Sequence, residues 1–172
     1  LPALKAGIIS GDIHVNGITG STGAGQKPGA TTHFSWRNDN ISVYKTFNHQ
    51  HLLEINQTVQ ELHPGYDGRV LFIPQRGCFA RGIYVTAYAK CDAALEDVQK
   101  VYADYYADAA FTHFTTKSPD MKQVVNTNKA VVYVEKYQDQ LLMICCIDNL
   151  LKGAVGQAVQ NMNLMFGLDE KA

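Results

Sequence analysis

Only one tryptophan, four cysteines and five prolines are spread through these 172 residues, and no charged run, repeat or low-complexity tract interrupts them. Each shortage excludes something. Fifteen basic side chains against sixteen acidic leave a net charge of −1, so the dense positive surface of a nucleic-acid-binding domain is missing. The longest apolar stretch, Leu141 to Ile147, falls far short of the roughly 20 residues that a bilayer-spanning helix needs. No secretory or transit pattern stands at the front. The cysteines form no Cys-x-x-Cys, and two of them, Cys145 and Cys146, are adjacent inside an apolar run. Zinc and dithiol chemistry therefore have no motif, and buried reduced thiols in a cytoplasmic setting are expected.

What remains is a globular composition, 46% hydrophobic and 18% charged. A chain of this length buries about 70% of the surface it exposes when unfolded, enough for one domain over 1–172. Asp12 to Thr19 alternates apolar and polar residues with the period of a half-buried strand, and Ile41 to Phe47 does so again. A loop rich in Gly, Ser, Thr and Pro runs between them, from Gly20 to Thr32. Leu52, Ile55, Val59 and Leu62 recur at helical spacing, which predicts a helix over His51 to Leu62 stopped by His63-Pro64-Gly65.

Strands are expected over Arg69 to Pro74, Gly82 to Cys91, Phe111 to Thr115 and Val124 to Val125. Two more, Ala130 to Tyr137 and Gln140 to Ile147, flank a hairpin turn at Gln138-Asp139. Helices are expected over Ala94 to Ala110 and Asn149 to Phe166, the latter tipped by Gly167. Together these give an α+β fold, a mostly antiparallel mixed sheet with helices on one face.

Four segments carry residue types suited to chemistry. Gly20-Ser21-Thr22-Gly23-Ala24-Gly25 follows a strand, where closely spaced glycines let backbone N–H groups approach a ligand. It lacks the Lys-Ser/Thr of a Walker loop, and a plain flexible turn fits it equally well. His49 and His51, with Glu54 close behind, suit proton transfer; a third metal ligand with clear spacing is missing, so no metal is expected. Arg76 and Arg81 bracket Gly77 to Ala80 and suit an anion clamp, although a solvated arginine is the commoner outcome. Gly153 and Gly156 inside the closing helix each cost about 1 kcal/mol relative to Ala, which calls for close packing or a ligand wall.

In combination these segments resemble the N-acetyl-gamma-glutamyl-phosphate reductase family. Asp148 to Asp169 is the most specific stretch. Thr19 to Lys27 resembles the family's Ser-Gly-x-Ser-Gly-Ala-Gly-Arg loop, His49 to Ile55 its His-Arg-His-x-Pro-Glu-Ile, and Phe72 to Gly82 its Phe-x-Pro-His-x-x-Pro-Met-x-Arg-Gly. Gln26, Gln50, Leu53, Gln75 and Cys78 depart from these patterns.

The resemblance implies the C-terminal domain of the glyceraldehyde-3-phosphate dehydrogenase-like group, here a catalytic and dimerisation domain. The implied activity is NADPH-dependent reduction of an N-acyl-glutamyl 5-phosphate to its semialdehyde, in arginine biosynthesis. It implies His49 as general acid/base, with Arg81, His51 and Ser21 toward substrate, and Gly20, Thr22, Gly23, Asn149 and Gly153 toward NADP(H). The implied assembly is a homodimer or homotetramer through the sheet. The family's dinucleotide-binding domain and Pro-Gly-Cys nucleophile segment have no counterpart in these residues. They are expected upstream, the closing helix at about 149–166 packing toward that domain and this piece inactive alone. Cys78 aligns elsewhere and is rejected as the nucleophile. An aspartate-semialdehyde dehydrogenase-like enzyme and a non-catalytic oligomerisation domain are the alternatives.

Overall fold

A computed structural model describes residues 1–172. Seven strands form one mixed sheet: β1 (Ser10–Thr19), β2 (Ser42–Val43), β3 (Val70–Arg76), β4 (Ile83–Lys90), β5 (Thr112–Thr115), β6 (Ala130–Tyr137) and β7 (Gln140–Ile147). Their spatial order is β2-β3-β1-β4-β7-β6-β5. The β1–β3 and β5–β6 pairs are parallel and the other four antiparallel. The expected α+β architecture is what the chain adopts.

Helices α1 (Pro2–Lys5), α3 (Leu52–Leu62) and α4 (Leu95–Tyr105) gather on one face of the sheet. There Leu4, Val59, Val98 and Tyr102 close over Ala89, Val132, Val134 and Leu141 in one apolar core. Side chains alternate along each strand, so the odd-numbered residues of β4 and β7 enter this core. Their even-numbered neighbours, Tyr84, Tyr88, Leu142 and Ile144, stand on the opposite face beside Tyr133 of β6. Tyr88 there stacks flat on His14, ring centres 4.7 Å apart. No helix is long and apolar enough to cross a membrane.

Three expectations are revised. Ile41 to Phe47 pairs with the sheet only at Ser42–Val43, because Lys45 and Phe47 take left-handed φ values of 45° and 57° that no strand accommodates. Val124 and Val125 form no strand. A 3₁₀ turn over Met121–Gln123, capped by the Asp120 carboxylate, drops Val124 onto Ile144 and Cys146 as a buried plug. The closing helix is divided: Leu151–Val155 winds with five-residue hydrogen bonds, Gly153 N–H to Asp148 and Val155 N–H to Leu150, before α5 (Gly156–Met165) begins. Short α2 (Phe34–Arg37) lies in the segment between β1 and β2. The β6–β7 turn falls at Gln138-Asp139 as expected, with Gln138 at φ 53°.

Candidate active site

Register decides where the site forms. Thr19 of β1 lies opposite both Arg76 of β3 and Ile83 of β4, and Ile83 in turn faces Ile147 of β7. Four strand ends therefore share one row, and the turns beyond them meet at the same edge of the sheet. Those turns are Gly20–Gly25, Gly77–Gly82 and Asp148–Gly153. The first and third of these turns, with the left-handed segment that follows β2, border a cavity of about 610 Å³.

His49 lines this cavity. Its ring is held edge-on between Tyr44 and Phe72, at centroid distances of 5.6 and 5.5 Å. The backbone N–H of His51 donates to His49 Nδ1 at 3.3 Å, which leaves the neutral ring's proton on Nε2. Burial first, then the neighbouring His51 and Lys45 charges, hold the imidazole below its ordinary pKa of 6.5. The ring thus rests neutral near pH 7 and presents an N–H. His51 borders the same cavity and pairs with Glu54 at 3.2 Å on the exposed first turn of α3.

The opposite wall is made of small residues. Gly20, Gly23, Ala24 and Gly25 come from the turn after β1, and Gly153 and Ala154 from the head of the closing helix. These two pieces are sewn together by Asn149. Its Oδ1 accepts from the Gly82 N–H at 2.7 Å, and its Nδ2 donates to Thr22 Oγ1 at 2.9 Å. Thr22 Oγ1 in turn donates to the Ala80 carbonyl at 2.7 Å. Asn149 and Thr22, expected at the cofactor, do line the cavity, but these hydrogen-bonding atoms are engaged with each other and with the 80–82 backbone. Gly20 has its own structural reason: a Cβ there would collide with the Ala80 carbonyl.

Two expected site residues are not brought to the cavity. Arg81 was expected to clamp the substrate; instead its guanidinium forms a two-pronged pair with fully buried Asp148, at 3.0 and 3.1 Å. Asp148 also accepts from the backbone N–H groups of Asn126, Leu150 and Leu151. Burial alone would raise its pKa, yet the Arg81 and backbone hydrogen bonds outweigh it and hold the carboxyl below 3.8. Ser21 lies outside the lining, its backbone N–H tied to Phe79.

Sequence reasoning missed Arg37, a buried residue that donates to the Gly77 and Thr19 carbonyls and borders the cavity. An arginine between two loop segments gives no signal of burial in the sequence. Tyr44 and Lys45, also at the cavity, were hidden by the expectation of a regular strand. Cys78 is exposed and outside the lining. Burial pushes the Cys145 thiol up to about 11 and that of Cys146 to about 12, which leaves both unreactive.

Residues 1–149 match the family described as semialdehyde dehydrogenase, dimerisation domain. N-acetyl-gamma-glutamyl-phosphate reductase of Parabacteroides distasonis is 58% identical over 99% of this chain and 53% of its own length. Those of Bacteroides thetaiotaomicron and Christiangramia forsetii are 57% and 54% identical over the same shares. The chain therefore spans about half the length of these curated relatives. Among solved structures, aspartate semialdehyde dehydrogenase II from Vibrio cholerae superposes with a TM-score of 0.70 at 14% identity, over 96% of this chain and 57% of that one. That likeness speaks for the fold.

Proposed function

The chain belongs to the semialdehyde dehydrogenase dimerisation-domain family, and on that premise we propose that it is the His49-bearing half of an acyl-phosphate reductase. The reaction is reduction of an N-acyl-glutamyl 5-phosphate to the semialdehyde, as a step of arginine biosynthesis. In this reading the nucleophilic thiolate and the dinucleotide-binding fold lie in the portion of the relatives that this chain does not cover. The carrying observation is a neutral His49 with Nε2–H free, facing a wall of glycines across one cavity.

The chemistry balances around that single proton. A thiolate attacks the acyl carbon, the C–S bond forming as the bond to phosphate oxygen breaks and phosphate leaves with the electron pair. A reduced nicotinamide, NADPH in this reading, supplies hydride to the thioester carbon when bound. His49 keeps its Nε2 proton and shares it with the resulting oxyanion as a hydrogen bond. When the C–S bond then breaks, the oxyanion's electron pair re-forms the carbonyl, the thiolate leaves with the C–S pair and the aldehyde is released. The Nδ1 contact from the His51 N–H fixes which nitrogen does this.

A flat nicotinamide ring fits the opposite wall, where Gly23, Gly25, Gly153 and Ala154 offer no long side chain to displace it. The strands of this edge hold that wall, and the closing helix extends from it. Val155, Val159, Met162, Met165 and Phe166 all stand exposed along that helix. This apolar strip supports packing of the closing helix against the dinucleotide-binding half. The family's description as a dimerisation domain, with the apolar sheet face at Tyr84, Tyr88 and Leu142, supports pairing with a second copy there.

The test is turnover by the full-length protein. NADPH oxidation with an N-acyl-glutamyl phosphate, or its formation from semialdehyde and phosphate, is expected. No turnover with either the acetyl or the succinyl substrate would remove the reading.

A further inference from the structure

We propose that Arg37 and Arg76 form an oxyanion seat in the His49 cavity, holding a carboxylate or phosphate oxygen of the substrate. The inference rests on the reductase reading for the identity of the substrate, and on geometry alone for the seat.

Arg37 is only 7% exposed. Its Nε donates to Gly77 at 2.6 Å and its Nη2 to Thr19 at 2.8 Å, while Nη1 has no protein partner. Arg76 lays its guanidinium over the Tyr44 ring at 4.3 Å and donates from Nη1 to the Val43 carbonyl at 3.1 Å. Both residues line the cavity, whose lining contains no aspartate or glutamate. Neither belongs to any of the ion pairs in the molecule.

Two guanidiniums without a counter-charge, one of them buried, are an unfavourable arrangement unless an anion completes it. They are near enough to oppose each other: after burial, the Arg76 charge is the next cause drawing the Arg37 pKa downward. Arg81, the arginine that the sequence favoured for this role, has its counter-charge in Asp148. Arg37 and Arg76 do not.

Tyr44 sets the distance to the chemistry. Its ring carries Arg76 on one face and meets His49 in a T-shaped contact at 5.6 Å. The seat therefore lies one aromatic ring from the imidazole, a separation suited to an anionic group of a substrate whose carbonyl sits at His49.

The phosphorolysis direction separates the two anions, because semialdehyde and phosphate are then distinct substrates. In the full-length enzyme, Arg76→Gln is expected to raise one KM by about 10- to 100-fold, as loss of a charged hydrogen bond does, with kcat changed less than about threefold. Arg76→Lys should recover part of it. A raised semialdehyde KM assigns the seat to the substrate carboxylate; a raised phosphate KM assigns it to phosphate. Both KM values unchanged, or a fall in kcat alone, overturns the proposal.

A second measurement stands apart from activity. Titrating phosphate and N-acetylglutamate into the wild-type protein should shift the Nε–H resonances of Arg37 and Arg76. If neither resonance moves with either anion, the seat is refuted. Resonances that move in a protein showing no turnover keep the seat and remove the reductase reading.

Discussion

Arg81 and Asp148 are 67 residues apart in sequence, yet their side chains meet in a two-pronged pair, the carboxylate fully buried and the arginine partly open to solvent. Five hydrogen bonds converge on that one carboxylate, from Arg81 Nε and Nη2 and from three backbone N–H groups. The pair joins the start of β4 to the head of the closing helix, and so holds two walls of the cavity in register.

Asp148→Ala should destabilise the fold by about 3–5 kcal/mol, the usual consequence of breaking a buried ion pair. Three backbone donors would be stranded along with Arg81. Because the folded pKa is depressed, the stabilisation is complete above the ordinary value of 3.8 and is lost as pH falls through the lower folded value. Urea titrations between pH 7 and pH 3 check both statements. A wild-type stability that is flat below pH 4 would contradict the second.

Replacing His49 by Asn in the full-length enzyme is expected to lower kcat by about 10²–10⁴-fold, the range of general acid–base help. The wild-type ring is neutral in the folded state because its pKa lies below 6.5. Activity governed by it should be level above pH 6.5 and fall only on the acid side, as a proton on Nδ1 ends its acceptance of the His51 N–H and frees the ring from its orientation. An acid limb centred above 6.5 counts against the assignment.

Gly20→Ala should damage the site without touching any ligand. The new methyl meets the Ala80 carbonyl, and the Gly20–Gly25 turn must move away from 79–82. Overpacking against backbone costs about 1–3 kcal/mol. By contrast, a Cβ on Gly23 would make only an ordinary contact, 3.6 Å from Asn149 Nδ2. Gly23→Ala should leave the melting temperature nearly unchanged, so any effect on the NADPH KM there reports on the wall itself.

Tyr88→Glu tests the assembly. Tyr88 stands 40% exposed on the sheet face without helices, stacked on His14. If that face pairs two copies, a charge at its centre should give a smaller sedimenting species with native circular dichroism. A wild-type chain that already sediments as a monomer removes the pairing.

The sheet was legible because its strands alternate and its hairpin turn is short. Ala130 to Tyr137 and Gln140 to Ile147 agree with the structure residue for residue. The segment from Ile41 to Phe47 was not legible, since its alternation persists through Lys45 and Phe47 while their backbone turns left-handed. Val124 and Val125 looked like strand because burial against a sheet selects the same apolar residues as membership of it. At the site, His49 and His51 line the cavity together. The Arg81–Asp148 pair and the burial of Arg37 were not legible, because the partner that engages Arg81 and the carbonyls that hold Arg37 come from distant turns.

Asn149 and Thr22 are separated by 127 residues and joined by one 2.9 Å hydrogen bond. During synthesis the glycine turn emerges long before its fastener. Until Asn149 leaves the ribosome, the turn is held to 79–82 only by its own backbone and Thr22 Oγ1, and the closing-helix part of the wall opposite His49 is missing. Long-range closure of this kind forms late and slowly. A nascent chain released before residue 149 would thus carry its histidine on a complete sheet, with only the glycine turn facing it.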